Sequence, residues 1–140
     1  MNIRGLSKEE IKRKIWRLRK ERAPLETYCL NTKRQLPVWL SLQYTYCNKG
    51  NCKCTKGFPH GPFYYLSFKT KGKVLHRYLP KRKISTIKPL ANTYHTFNER
   101  LARLNKINKE IDTLLRIHQE NNLISIPIWL NKKKTRKKEE

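Results

Sequence analysis

The sequence predicts an α+β protein: a basic N-terminal helix, a small centre built on a β-hairpin within a three-stranded antiparallel sheet, and a long C-terminal heptad helix. A helix-capping motif opens an amphipathic basic segment near the N-terminus. Alternating aromatic and β-branched residues flank a turn signal at Lys71-Gly72, and apolar residues recur every three or four positions from Ile87 to His118. These observations divide the chain into four regions: residues 1–24, 25–83, 84–122 and 123–140.

The composition indicates a polyanionic partner. The chain has 140 residues, with 33 Lys and Arg against 10 Asp and Glu, and a formal net charge of +23. Such an excess repels itself, so we expect nucleic acid (DNA or RNA) as the partner rather than an anionic membrane or a polyanionic protein. No apolar run reaches the about 20 residues of a membrane-spanning helix, and the N-terminus lacks the apolar block of a signal peptide. We therefore expect a cytoplasmic protein with no membrane partner.

The first predicted helix begins at the capping box Ser7-x-x-Glu10, in which each residue satisfies a backbone N–H of the other. Pro24 predicts its end, because proline cannot continue the hydrogen-bond ladder. One face is partly apolar and carries Ile11, Ile15, Trp16 and Leu18. The other face is basic, and it is either an ordinary solvated face or a surface that contacts phosphates. The candidate phosphate-binding residues on it are Arg13, Arg17 and Lys20.

A cluster of cysteines and one histidine follows a predicted strand at residues 38–46. Its spacing is Cys47-x4-Cys52-x-Cys54-x5-His60. Closely spaced cysteines in an intracellular protein more often bind a metal than form disulfides. Zinc prefers four tetrahedral ligands, and three thiolates with one imidazole are a common structural set. We therefore predict a Zn²⁺ site formed by these four side chains, which makes the centre a zinc-stapled sheet.

The fourth ligand is open on spacing alone. His60 is the nearest histidine, but His76, His95 or the distant Cys29 could replace it. Three cysteines buried without a metal are the plain structural alternative. A catalytic metal site would also need a general base, and no carboxylate lies between Glu26 and Glu99.

The hairpin has strands at residues 63–69 and 73–79, joined at Lys71-Gly72, where glycine accommodates the unusual backbone angles of a tight turn. Alternation separates Tyr64 and Phe68 from Tyr65 on the two faces. These rings and Tyr78 could stack on unpaired bases, although packing in the core suits most of them. The hairpin and the residues just after it are basic, and we assign nucleic-acid contacts there. They are Lys69, Lys71, Lys73, Arg77, Lys81, Arg82 and Lys83.

A helix from about residue 87 to 120 would be about 50 Å long. Its predicted seam steps by threes and fours through four heptads, with Asn108 and His118 as the polar members. The 87–118 seam could pack on the N-terminal helix, on a protein partner, or on a second copy in a homodimer. After it, residues 124–130 are predicted to be extended, with docking through Ile128 and Trp129, and residues 132–140 to be a disordered basic tail.

Three segments share the features of one family: Cys47-Asn-Lys-Gly-Asn-Cys52-Lys-Cys54, His60-Gly-Pro-Phe-Tyr-Tyr-Leu-Ser67 and Tyr78-Leu-Pro-Lys81. They resemble the zinc-knuckle-like C-x4-C-x-C…HGP-aromatic-L-S signature, basic hairpin and Y-(V/L)-P-K ending of a family of small prokaryotic proteins whose domain has no known function. The resemblance covers roughly residues 44–118 and leaves the N-terminal helix outside. It implies no activity, but it implies that the HGP motif and the cysteines form one unit, which favours His60 as the ligand.

Three functions fit these expectations. The first is a zinc-stabilised nucleic-acid-binding protein that contacts phosphates through the hairpin and the basic helix. The second is a structural subunit of a larger ribonucleoprotein or nucleoprotein assembly. The third is an enzyme, either a nuclease or a tyrosine-type DNA transesterase using Tyr78 beside His76 and Arg77. Metal-dependent nucleases need clustered carboxylates, which the metal motif lacks, so we assign no catalytic residue and predict no enzyme.

Overall fold

The computed structural model describes residues 5–47 and 49–130 and confirms the α+β class. Its main elements are α1 (Lys8–Asn31), β1 (Trp39–Thr45), β2 (His60–Thr70), β3 (Lys73–Leu79) and α2 (Lys81–Asn122). Backbone contacts divide the chain into two units, which we name by their content. The helical unit is Met1–Glu26 with Arg103–Glu140, and the sheet unit is Thr27–Ala102. No helix among the described residues is both long enough and apolar enough to cross a membrane.

Helix α1 begins with the predicted capping box. The backbone N–H of Ser7 donates to Oε2 of Glu10 at 3.1 Å, and the backbone N–H of Glu10 donates to Oγ of Ser7 at 3.2 Å. The predicted end at Pro24 is wrong, because the helix continues to Asn31 with this proline inside it. An ion pair of 3.1 Å between Arg22 and Glu26 spans the proline. This contact stabilises the turn that the missing hydrogen bond weakens.

The core of the helical unit joins the two helices. Ile11 of α1 is buried together with Leu114 and Ile117 of α2. Three partly buried side chains pack against them: Leu6, Ile15 and Leu18. The N-terminal helix of the same chain therefore packs against Leu114 and Ile117, each one position before a predicted seam residue of α2, while Trp16 on α1 remains 56% exposed.

The register of the seam differs from the prediction near its C-terminal end. Ile107 is fully buried, at 0% exposure, whereas Leu115 is 54% exposed. The predicted seam residue Asn108 is exposed, and its Oδ1 accepts a hydrogen bond from the guanidinium of Arg22 at 3.4 Å. Burying Ile107 instead removes an apolar side chain from water and avoids the cost of burying an amide.

Helix α2 starts at Lys81, about two turns earlier than predicted, so the 81–83 triplet belongs to the helix and not to the β centre. The backbone N–H of Lys83 donates to the carbonyl of Pro80 at 3.0 Å. Pro89 therefore lies inside the helix and not in its first turn. The helix ends as predicted at the asparagine pair, where the side chain of Asn122 donates to the carbonyl of His118 at 2.7 Å.

The sheet is antiparallel with strand order β1-β2-β3. The hairpin turn is confirmed: Lys71 and Gly72 have φ values of 48° and 76°, as a two-residue turn with positive φ at both positions requires. The described core of the sheet unit is small. Its buried side chains are Val38, Cys54, Leu79 and Ala91.

The segment after α2 differs from the predicted extended conformation. Residues 126–130 form a helical turn, in which the backbone N–H of Trp129 donates to the carbonyl of Ser125 at 3.1 Å. The predicted docking residues Ile128 and Trp129 are 56% and 45% exposed. The predicted disordered tail, 132–140, lies outside the described residues.

Candidate metal centre and basic surface

Four metal-ligating side chains meet where β1 and β2 approach each other. The ligand atoms of Cys47, Cys52, Cys54 and His60 all lie within 4.8 Å of one another, so these residues could hold a metal ion. Sγ of Cys54 is 3.6 Å from Sγ of both other cysteines. Nε2 of His60 is 3.0 Å from Sγ of Cys52 and 3.3 Å from Sγ of Cys47.

These distances fit a tetrahedral ion with soft ligands. Metal–sulfur bonds of about 2.3 Å and metal–nitrogen bonds of about 2.0–2.1 Å give tetrahedral edges of about 3.8 Å between sulfurs and about 3.5 Å between sulfur and nitrogen. Four of the six edges, two between sulfurs and two between sulfur and nitrogen, lie within about half an ångström of those values. Cys54 is buried and the other three side chains are half-buried, so a bound ion would be largely shielded from water.

The loop between the strands is shaped by turns at each cysteine. The backbone N–H of Cys52 donates to the carbonyl of Lys49 at 3.2 Å, which closes a turn after Cys47. Cys52 then caps a short 3₁₀ turn, Lys53–Lys56, and its carbonyl accepts hydrogen bonds from both N–H and Oγ1 of Thr55. The turn ends at Gly57, whose φ of 88° favours glycine.

The backbone at position 61, directly after His60, requires glycine. Its φ is +121°, and an added Cβ would lie 2.8 Å from the carbonyl oxygen of Gln43 in β1. Only glycine permits this close approach of the two strands. The approach pairs His60 with Thr45 at an irregularity in the β1–β2 register, which places the imidazole beside the end of β1 and its following cysteine.

Hydrogen bonds shift the pKa values of the Cys52 and Cys47 thiols in opposite directions. The backbone N–H of Cys54 and the side chain of Cys47 lower the pKa of the Cys52 thiol to about 7. For Cys47, the backbone of Lys49 favours the thiolate, but the side chain of Cys52 and desolvation outweigh it and raise the pKa. Of these two thiols, Cys52 is therefore the better prepared to be a thiolate, the form that binds metals.

The alternative fourth ligands lie elsewhere. Nδ1 of His76 is 2.8 Å from Oγ of Ser67 on the sheet, and Nε2 of His95 is 2.8 Å from the carbonyl oxygen of Val38. Cys29 is half-buried on α1. Within the described part of the chain, none of the three belongs to the group of four side chains that could hold an ion.

The predicted nucleic-acid contacts fall into two sets. Seven belong to the sheet unit and all are exposed: Lys69, Lys71, Lys73, Arg77, Lys81, Arg82 and Lys83. The other three lie in the helical unit and are also exposed: Arg13, Arg17 and Lys20. Nζ of Lys20 lies 3.7 Å from the centre of the Trp16 ring, so the exposed tryptophan carries a cation on its face.

Ion pairing differs between the two units. Five ion pairs are formed among the described residues, and all lie in the helical unit. The strongest geometry is that of Arg103, which donates two hydrogen bonds of 2.6 and 2.7 Å to the carboxylate of Glu21. The sheet unit contains Glu99 as its one acidic residue. Its described basic side chains therefore keep their charge unneutralised by carboxylates.

One face of the sheet carries a ladder of aromatic rings. Cross-strand pairing places Tyr65 opposite Tyr78, with ring centroids 5.9 Å apart, and the Phe63 ring lies 6.3 Å from that of Tyr78. We call these three rings the aromatic face. Tyr78 is 54% exposed and so does not belong to the core. Strand alternation from Tyr65 places Phe63 on this face, although the stacking candidates named from the sequence were Tyr64, Tyr65, Phe68 and Tyr78.

A groove adjoins the aromatic face at the start of β2. It has a volume of about 550 Å³. Its lining includes Pro62, Phe63 and Tyr64, together with Lys81 and Ser85 from the first turns of α2. The groove therefore connects one ring of the aromatic face to the basic triplet at the beginning of that helix.

The sheet places the three residues of the hypothetical transesterase site, His76, Arg77 and Tyr78, on two different faces. Register pairs His76 with Ser67 and Tyr78 with Tyr65 on one face, whereas Arg77 pairs with Leu66 on the other. The guanidinium of Arg77 donates to the carbonyl of His76 at 3.5 Å. The tyrosine and histidine thus share a face without the arginine.

Comparison with known proteins gives a family but no activity. The family model described as a domain of unknown function, DUF6788, matches residues 8–89, more than half of the chain. The chain belongs to this family, which confirms the resemblance drawn from the cysteine and HGP motifs. The matched range begins at α1, so the N-terminal helix is part of the family domain, contrary to the bounds expected from the sequence. No curated protein and no solved structure matches the chain significantly.

Proposed function

We propose that this chain is a nucleic-acid-binding protein whose sheet unit is stabilised by Zn²⁺ and whose exposed cations contact phosphates. The observation that carries the proposal is the distribution of ion pairs: the described ones all lie in the helical unit, and the cations of the sheet unit have no carboxylate partners among the described residues. Unpaired cations concentrated on one small unit repel each other, and a polyanion relieves that repulsion.

The start of α2 adds to the positive electrostatic potential of the sheet unit. The first turn contains no acidic residue, and it carries Lys81, Arg82 and Lys83 at the end of the helix where the macrodipole is positive. Cations are unfavourable at this position in isolation, whereas an anion bound there interacts with both the side chains and the helix terminus. The position of the triplet therefore favours a phosphate-binding role over that of an ordinary solvated surface.

Zinc is the proposed ion because of the donor set. Three thiols and one imidazole suit Zn²⁺ better than the hard cations that prefer oxygen ligands. Four protein ligands complete the tetrahedron, and this indicates a structural ion and not a catalytic one. When bound, the ion cross-links the ends of β1 and β2. This stabilises a unit whose hydrophobic core is small. The thiols remain reduced in the cytoplasm, where we place the protein.

Salt dependence tests the proposal directly. A labelled duplex is titrated with the purified chain at several salt concentrations, and the observed binding constant is plotted against salt on logarithmic axes. We expect binding by the chain alone and a steep negative slope, because each phosphate contact releases condensed counterions. Replacing the 81–83 triplet with alanine should reduce the slope by about 2 to 3. Alanine has the highest helix propensity, so loss of binding would not reflect a lost helix.

Arg116→Ala is the matched control. This variant also removes a cation from α2, but Asp112 already holds that guanidinium at 2.8 Å. The control should leave the slope unchanged. Binding that does not respond to salt, or an equal loss of slope in the control and the triplet variant, would refute phosphate binding by the sheet unit.

A second candidate function is a subunit of a larger nucleoprotein assembly. It is favoured by exposed apolar side chains after α2, of which Leu123, Ile124 and Ile126 are 64–72% exposed. Contiguous exposed apolar residues often mark contacts with another protein. This alternative predicts that the chain binds weakly alone and co-purifies with one defined RNA or protein. Tight, salt-dependent binding by the isolated chain would argue against it.

A further inference from the structure

The aromatic face exposes apolar side chains that a purely structural sheet surface does not need to expose. Tyr78 is 54% exposed, and Val74, four residues earlier on the same face of β3, is 53% exposed. Cross-strand aromatic pairs do stabilise a sheet. However, a ring that only stabilises the sheet can be covered by another element, whereas Tyr78 is exposed and Phe63 and Tyr65 are half-buried. Flat apolar surface is thus presented to solvent or to a ligand.

The surroundings of the aromatic face are positive. Lys69 lies on the same face of β2 by alternation from Tyr65, and Lys71 lies at the exposed hairpin turn. No acidic residue occurs between Glu26 and Glu99, so no carboxylate lies in any of the three strands. A ligand for this surface must therefore offer both negative charge and flat apolar groups.

We propose that the aromatic face binds an unpaired strand of nucleic acid, with bases stacked on Phe63, Tyr65 and Tyr78 and phosphates held by the neighbouring lysines. This inference rests on the proposed function and narrows it from nucleic acid in general to single strands. Stacking needs bases whose faces are free, and a duplex buries those faces against each other. A sheet that presents rings beside cations is a common solution to that problem.

The groove beside α2 gives the strand a continuous path. Phe63 belongs to the aromatic face and also lines the groove, whose opposite wall includes Lys81 and Ser85. A strand stacked on Tyr78 and Phe63 can therefore continue into the groove and place a phosphate at the basic start of α2. The aromatic face supplies base stacking, and the groove and the triplet supply phosphate contacts.

The test compares three probes of equal length, about 16 nucleotides. They are an oligothymidylate, which has no secondary structure, an abasic strand with the same phosphates, and a duplex; an oligouridylate run in parallel distinguishes DNA from RNA. We expect the chain to bind oligothymidylate or oligouridylate more tightly than the abasic strand. Tyr78→Leu should weaken that binding roughly 5- to 100-fold and leave the abasic strand and the duplex unaffected.

Two further variants separate stacking from folding. Tyr78→Phe keeps the ring and should bind like the wild type. Tyr44→Leu removes a tyrosine that is 58% exposed on β1 and lies outside the aromatic face, and it should not alter binding. If Tyr78→Leu weakens all three probes equally, or if the abasic strand binds as well as oligothymidylate, the stacking site is refuted while phosphate binding stands. If no probe binds, both proposals fail.

Discussion

Replacing Cys52 with serine tests whether the metal centre stabilises the sheet unit. Sγ of Cys52 lies 3.0 Å from Nε2 of His60 and 3.6 Å from Sγ of Cys54, so the variant removes one ligand of the proposed tetrahedral site. Serine places a harder, less acidic donor on a shorter side chain, and zinc binds it poorly at neutral pH. The loop keeps its length and its backbone hydrogen bonds, so the change acts mainly on the ion.

The expected magnitude follows from the number of ligands. Structural zinc sites have apparent binding free energies of about 10–16 kcal/mol, so one ligand of four accounts for about 2.5–4 kcal/mol on average. Its loss should weaken metal binding roughly a hundred- to a thousandfold. Domains of this size are stable by only about 5–15 kcal/mol, and the described core of the sheet unit is small. The variant should therefore lose a large part of the stability of that unit.

Two measurements check this expectation. Metal analysis of the purified wild type should give about one zinc per chain, and Cys52→Ser should give much less. Chelator should lower the midpoint of thermal unfolding of the wild type and leave the variant almost unchanged, because the variant has no ion to lose. Cys29→Ser is the control, since this cysteine lies on α1 outside the ligand group. A wild type without metal, or one whose unfolding ignores the chelator, would refute the centre.

Three other changes test the described packing. Gly61→Ala should destabilise the sheet unit by about 1–3 kcal/mol, measured by urea unfolding, because the added Cβ would lie 2.8 Å from a carbonyl oxygen of β1. Ile107→Ala should cost about 2–5 kcal/mol in the same assay, whereas Leu115→Ala, at an exposed seam position, should cost less than about 1 kcal/mol; the predicted heptad register requires the opposite order. Arg103 lowers the pKa of Glu21, so this pair stabilises the folded state above the unfolded pKa of the carboxyl and loses that effect as pH falls through the folded value. The stability difference between the wild type and Glu21→Gln should therefore shrink below about pH 4.5, and a difference independent of pH would contradict the pair.

The hairpin and the grouping of the four candidate ligands could be predicted because they depend on local chemistry. Lys71-Gly72 is a signal for a two-residue turn, and strand alternation then fixes which residues share a face. The four ligands lie within one short loop, so their spacing already limits which atoms can meet. The same spacing could not distinguish His60 from His76. That distinction comes from the close approach of β1 at Gly61, which is a contact distant in sequence.

The ends of the helices were harder to predict from the sequence, because tertiary contacts override local signals. Pro24 is a strong helix terminator by itself, yet α1 continues to Asn31. In the sheet unit, the guanidinium of Arg100 lies 3.7 Å from the ring centre of Tyr28 and holds the last turns of that helix. Arg100 is 72 positions from Tyr28 in the chain, so a local sequence pattern could not predict this contact. The seam shift from Asn108 to Ile107 has the same origin, since the neighbouring helix decides which side is covered.

The two units reach stability by different means, and the difference supports the proposed function. The helical unit uses buried aliphatic side chains and ion pairs such as that of Glu21 with Arg103. Ion pairs in the sheet unit would neutralise the cations that we propose contact phosphates, so that source of stability would conflict with the proposed binding. The proposed metal ion, bound by three thiolates and one imidazole, would avoid the conflict, because a dication largely cancels the charge of its own ligands. The centre can therefore stabilise the sheet without carboxylates and leave the basic surface free for phosphate.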